Sequence, residues 1–163
     1  HCSVRRQRQM CIRDRFCKIF SKFVEENDIK ENEFGLEITE TAELEDTQKA
    51  GESLERLKKR GIKIALDDFG AGYASLKYIR DLPIDVVKLD RHFTSNISDP
   101  STSRLIKFVS DVCAELNLEM IGEGIETEQE KNMMIDLGCE TGQGFLMHMP
   151  SFIEDIMKEK NDG

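Results

Sequence analysis

The chain has 163 residues, a formal net charge of −9 and 39% hydrophobic residues. That is long enough for one domain with a real core and too apolar for a disordered chain. The acidic balance lacks the basic footprint of a polymeric nucleic-acid binder, and no apolar run reaches the roughly 20 residues of a membrane span.

Residues 1–15, HCSVRRQRQMCIRDR, carry five arginines and one acid, unlike the acidic remainder. They lack the apolar stretch of a secretory signal. MCIRDR is the translation of ATG-TGT-ATA-AGA-GAC-AG(A/G), which matches a transposase-end adapter used in short-read library preparation. Residues 1–15 are therefore expected to be non-native, leaving 16–163 for the fold. A continuous genomic frame through MCIRDR would contradict this.

From residue 16 the pattern alternates. Phe16, Ile19, Phe20, Phe23 and Val24 recur at helical spacing. FGLEIT (34–39) is a short apolar strand. Residues 46–60 form a helix with Ala50, Leu54 and Leu57 inward, stopped by Gly61. IKIALDD (62–68) is the next strand, followed by a short helix over 74–81 and the Leu82-Pro83 turn. VVKLD (86–90) is a strand. Residues 100–116 form a helix with Leu105, Phe108, Val109, Val112 and Leu116 on one face. LEMIGEG (118–124) is a strand. A helix over 127–137 has Thr127 as its N-cap and Gly138 as its stop. TGQGFL (141–146) is a weak strand, and a last helix covers 151–159.

Strands alternating with helices imply a parallel sheet with right-handed crossovers. An open doubly wound sheet and a closed (β/α) barrel both satisfy that. Each strand ends in polar groups: Glu37, then Asp67 and Asp68, then Lys88 and Asp90, then Glu123 and Glu126, then Gln143. A ring of this kind is what the C-terminal mouth of a barrel gathers, whereas an open sheet concentrates function at its switch point. Five strands cannot close an eight-stranded barrel, so part of the fold is expected to be missing. The five cysteines (2, 11, 17, 113 and 139) form no CxxC pair, which suits reduced thiols and a cytoplasmic setting. Cys113 and Cys139 read as small buried apolar residues. The histidines (1, 92 and 148) have no metal-binding spacing, and Arg91 and His92 read as surface residues.

Asp67 and Asp68 pose an electrostatic problem. Adjacent carboxylates at the end of a buried strand repel, and burying them is costly unless something compensates.

LEITE (36–40), LDDFGAGYASL (66–76), PIDVVKLD (83–90), GEGIE (122–126) and QG (143–144) supply a resemblance, in order and at fitting spacing. Together they resemble the EAL family of cyclic di-GMP phosphodiesterases. The resemblance runs from about residue 16 to the last helix. It implies an α/β fold, a modified (β/α)8 TIM-like barrel, here truncated to about the last five strands and their helices. It implies hydrolysis of cyclic di-GMP to linear pGpG with Mg²⁺ or Mn²⁺. Residue by residue, Glu37 would ligate the first metal, Asp67 would bridge both and Asp68 would bind the second. Lys88 would hold or polarise the attacking water, Glu123 would act near the second metal or in proton transfer, and Gln143 would orient water or substrate. Asp90 and Glu126 are further carboxylates of these motifs. Glu40 would brace the 69–75 loop, whose Gly70 and Gly72 allow it to turn, and this region would support a homodimer. The family's Glu-Ala-Leu signature and an Asn ligand are not in the chain, so this stretch alone is expected to be inactive. Ala71 and Ala74 stand where Thr and Ser are frequent, Gly122 replaces a usual Ala, and FLMHMP (145–150) lacks the family's basic residue.

The chemistry agrees. Two divalent ions can neutralise a phosphodiester, generate a nucleophile and stabilise the leaving alkoxide, and hard ions need oxygen ligands. A loop beginning just after Asp67 would bring both aspartates to one mouth. Lys88, among carboxylates, suits a positioned cation better than a base. Two other readings stay open: a non-catalytic EAL domain that binds cyclic di-GMP or a protein partner, and a different (β/α) barrel acting on a phosphosugar or enolase-type substrate.

Overall fold

The computed structural model describes Lys22 and residues 35–39, 47–71 and 75–149. Of the helix expected over 16–24 only Lys22 is described, as helical. Residues 1–15, Glu40, Gly72 and the helix expected over 151–159 lie outside the described residues.

The elements are β1 (Gly35–Thr39), α1 (Thr47–Lys58), β2 (Lys63–Phe69), α2 (Ser75–Asp81), β3 (Val86–Leu89), α3 (Arg91–Ser95), α4 (Pro100–Glu115), β4 (Glu119–Gly122), α5 (Glu128–Asp136) and β5 (Thr141–Gly142). The strands follow one another in sheet order β1-β2-β3-β4-β5. The chain divides into two compact units, 1–87 and 88–163, with the boundary inside β3.

In the first unit β1 and β2 pair in parallel, with Glu37 opposite Ala65 and Thr39 opposite Asp67. Ile64 and Leu66 on one face of β2 are fully buried, while Ala65 and Asp67 on the other are half-buried. Helices α1 and α2 pack on β2. Helix α1 buries Gly51, Leu54 and Leu57, so Gly51 rather than the expected Ala50 joins the two leucines. Gly61 ends this helix at φ +78, a left-handed conformation that favours glycine. Asp85 ties the turn before β3 to β2. Its backbone N–H donates to Ile64 O at 2.8 Å and its Oδ2 accepts from Ile64 N at 2.9 Å. Lys58 reaches Asp85 Oδ1 at 2.7 Å.

In the second unit β4 and β5 pair in parallel through Ile121↔Thr141 and Gly122↔Gly142. The strand expected over 141–146 is only two residues long. The chain turns off at Gly144, where a Cβ would stand 2.1 Å from Ile125 O. The strand expected to reach Asp90 stops at Leu89, and Asp90 instead caps α3, an element the sequence reading lacked.

Helix α4 begins at Asp99, whose carboxylate accepts from Ser101 N and Thr102 N at 3.1 and 2.9 Å. Its buried residues are Ile106, Val109, Ser110 and Cys113. The expected face was centred elsewhere: Leu105, Phe108 and Leu116 are 55%, 52% and 51% exposed. At about 100° per residue the buried face is turned by roughly 90° from the apolar stripe. Close packing explains the choice, because a Cβ on Gly138 would lie 2.4 Å from Ser110 Oγ. Only small side chains permit that approach.

Helix α5 carries the expected cap at Thr127, in a capping box with Glu130. Thr127 Oγ1 accepts from Glu130 N at 3.2 Å, and Glu130 Oε2 accepts from Thr127 N at 2.9 Å. Thr127→Ala is expected to lower the unfolding free energy by about 1 kcal/mol in urea titration. Cys113 and Cys139 are buried free thiols, as expected. Burial pushes both up to about 11. The folded state keeps these protons past the ordinary ionisation at 9.0, so the stability they contribute is present below pH 9 and is lost as pH climbs towards 11. Mass mapping should find both unmodified by iodoacetamide at pH 8 until denaturant is added.

Candidate active site

Asp67 and Asp68 lie inside β2, which continues to Phe69 rather than giving way to a loop after Asp67. The break in alternation has another source. Asp68 sits at φ +55, one of two non-glycine residues at positive φ among those described. Buried side chains fall at Ile64 and Leu66 and then at Phe69, so the two-residue period slips at Asp68. Asp68 is thereby half-buried instead of joining Leu66 on the covered face. A left-handed aspartate is strained by about 1–2 kcal/mol, and such strain concentrates at functional positions. Gly70, at φ +98, then closes a tight turn in which Ala71 N donates to Asp68 O at 3.0 Å. The β1–β2 register sets Glu37 on the same face as Ala65 and Asp67, and Glu37 is exposed there. The first unit therefore offers carboxylates from two adjacent strands, an all-oxygen donor set suited to a hard divalent cation. The described histidines, His92 and His148, are exposed.

The second unit brings three predicted residues together. Lys88 lies in β3, whose four residues are all buried, and is itself 8% exposed. A lysine at such a position needs a partner. Glu123, just after β4, provides it: Lys88 Nζ lies 2.8 Å from Glu123 Oε1. Gln143, just after β5, donates from Nε2 to the same oxygen at 2.6 Å. The carboxylate is thus held through one oxygen by a cation and an amide, and Oε2 takes no described hydrogen bond.

The backbone around Glu123 is clamped. Glu123 N donates to Leu89 O at 3.2 Å, Gln143 N to Gly122 O at 2.8 Å and Ile125 N to Gln143 O at 3.1 Å. Gly124 is left-handed at φ +67, and a Cβ there would meet Arg91 Cβ at 2.7 Å. A Cβ on Gly122 would stand 2.5 Å from Met134 Cε, the far end of a flexible side chain. Thr94 Oγ1 donates to Glu123 O at 2.6 Å. The sequence reading missed Thr94; its one signal was Asp90, a capping residue ahead of an unrecognised short helix.

Two predicted residues stand apart. Asp90 accepts from His92 N at 2.8 Å as the α3 cap. Glu126 is exposed, with its backbone N–H donating to Glu130 Oε2 at 2.9 Å. Arg91 and His92 are exposed, as expected.

Residues 1–150 match the EAL domain family. The chain belongs to that family. Among relatives, it is 35% identical over 130 residues to the Cyclic di-GMP phosphodiesterase PA2567 of Pseudomonas aeruginosa, covering 79% of this chain and 22% of that protein. The chain spans about a fifth of the length of the curated relatives it matches. Among solved structures, it is similar to the EAL domain of Mycobacterium smegmatis DcpA, with a TM-score of 0.83 and 29% identity over 91% of this chain and 67% of that one. It is also similar to the phosphodiesterase PaMucR of Pseudomonas aeruginosa in complex with c-di-GMP, with a TM-score of 0.74 and 32% identity over 82% of this chain and 54% of that one. The parallel strands and covering helices are accordingly those of the TIM-like EAL barrel. Among the described residues, no helix of this EAL domain is long and apolar enough to cross a membrane.

Proposed function

We propose that the protein containing this EAL domain is a cytoplasmic, metal-dependent phosphodiesterase that hydrolyses cyclic di-GMP to linear pGpG in bacterial signalling. The observation that carries the reading is the Lys88–Glu123–Gln143 cluster, on three family motifs of a chain that belongs to the EAL family. The oxygen donors of the other unit support it.

Glu37, Asp67 and Asp68 would hold Mg²⁺ or Mn²⁺ through their carboxylate oxygens. Such ions, when bound, neutralise phosphoryl oxygens and acidify water near neutral pH. The remaining work falls to side chains. The Lys88 ammonium positions the attacking water. Glu123 accepts its proton at a carboxylate oxygen, and Gln143 fixes that carboxylate and orients water or substrate. Water oxygen bonds to phosphorus, the P–O3′ bond breaks, and the departing 3′ alkoxide takes a proton from solvent to become the hydroxyl of the product, while Glu123 later releases its proton to solvent. Asp90 holds the turn after Lys88, and Glu126 adds negative charge beside the Glu123 motif. Glu40, Gly70 and Gly72 would shape the 69–75 loop, which we assign to a homodimer contact.

Equilibrium binding of cyclic di-GMP to the native full-length protein tests the reading. Binding should strengthen at least 10-fold with Mg²⁺ or Mn²⁺ and resist competition by phosphosugars. Binding indifferent to metal would favour a non-catalytic EAL domain, and displacement by phosphosugars would favour another barrel enzyme.

A further inference from the structure

We propose that Thr94 is a positioning residue for the Glu123 carboxylate, acting through the Glu123 carbonyl; the inference rests on the phosphodiesterase reading of this site. Thr94 is fully buried on α3, at 0% exposure, and its hydroxyl donates to Glu123 O at 2.6 Å. That carbonyl stands outside the β4–β5 ladder, where the neighbouring bonds use Gly122 O and Gln143 O. The Thr94 hydroxyl is its described partner.

The contact belongs to a three-point grip by one short segment. Lys88 Nζ holds the carboxylate at 2.8 Å, Leu89 O accepts from the backbone N–H at 3.2 Å, and Thr94 Oγ1 reaches the carbonyl. Asp90 fixes the intervening turn by capping α3. The left-handed Gly124, against Arg91, fixes the other side of the Glu123 peptide. Side chain, amide and carbonyl of Glu123 are thus referred to the segment that runs from Lys88 in β3 to Thr94 in α3. Without the hydroxyl the Glu123–Gly124 peptide loses its described side-chain anchor, the Glu123 backbone is held less tightly, and the carboxylate moves with it. Small misplacements of reacting groups reduce rates by up to about 100-fold.

The test compares Thr94→Val, which keeps the shape, with Thr94→Ser, which keeps the hydroxyl, in the native full-length protein with Mn²⁺. Thr94→Val should lower kcat for cyclic di-GMP about 10-fold with KM within about 3-fold, and Thr94→Ser should stay within about 3-fold of wild type. In a Glu123→Gln background Thr94→Val should add less than about 2-fold, because the two act as one unit. Equal kcat in wild type and Thr94→Val, equal loss in both Thr94 variants, or an undiminished loss in the Glu123→Gln background would each overturn the proposal. Amide hydrogen exchange at Glu123 gives a readout independent of turnover. It should speed up about 10-fold in Thr94→Val and not in Thr94→Ser. Unchanged exchange overturns the positioning role whatever the activity. Faster exchange in a protein whose wild type hydrolyses no cyclic di-GMP supports the positioning role and refutes the function assigned to the site.

Discussion

Glu123→Ala is expected to lower the unfolding free energy by about 3–5 kcal/mol, far beyond an ordinary surface truncation. The reason lies with Lys88 more than with Glu123. The side chains of the pair are 10% and 17% exposed, and Lys88 sits in a strand buried along its whole length. Removing the carboxylate takes from the ammonium the anionic partner that lies 2.8 Å away in that setting. Replacing both charges by apolar groups of similar volume removes the problem. Lys88→Met/Glu123→Leu should therefore recover most of the loss while abolishing activity. Urea titration of both variants checks this. A Glu123→Ala protein within 1 kcal/mol of wild type would show that Lys88 does not depend on Glu123 for its charge.

Asp68→Ala and Asp67→Ala should each reduce metal-dependent turnover by about 100- to 1,000-fold, the scale set by losing one preorganised electrostatic group. Stability should separate the two positions. Asp68 holds φ +55, where a residue with a Cβ is strained and glycine is not. Asp68→Gly should therefore be more stable than Asp68→Ala by about 1 kcal/mol, with both equally impaired in turnover. No such ordering is expected at Asp67, which is not among the described residues with positive φ. Equal stability of Asp68→Gly and Asp68→Ala would mean that the left-handed backbone carries no strain. Steady-state rates and thermal melts of the same protein preparations give both answers.

The strand–helix alternation was readable because hydrophobic spacing and stops such as Gly61 and Gly138 are local properties. The convergence of Lys88, Glu123 and Gln143 followed from their common place at strand ends. Features that depend on packing were hidden. In α4 the apolar periodicity pointed to Leu105, Phe108 and Leu116, but the close approach of Ser110 to Gly138 selected a face of smaller residues. Helix α3 is five residues long, shorter than periodicity resolves, so Thr94 read as an ordinary polar residue. The sequence also indicated that alternation must break at the aspartate pair. It did not reveal that the break is a left-handed Asp68 inside the strand, because backbone dihedrals at non-glycine residues leave little trace in composition.

The rate of pGpG release from cyclic di-GMP by the native full-length protein, measured against Mn²⁺ concentration, tests the central claim most directly. Saturable release that EDTA abolishes, and that falls at least 100-fold in Asp67→Ala, is the predicted result. Release unaffected by EDTA, or undiminished in Asp67→Ala, would contradict it.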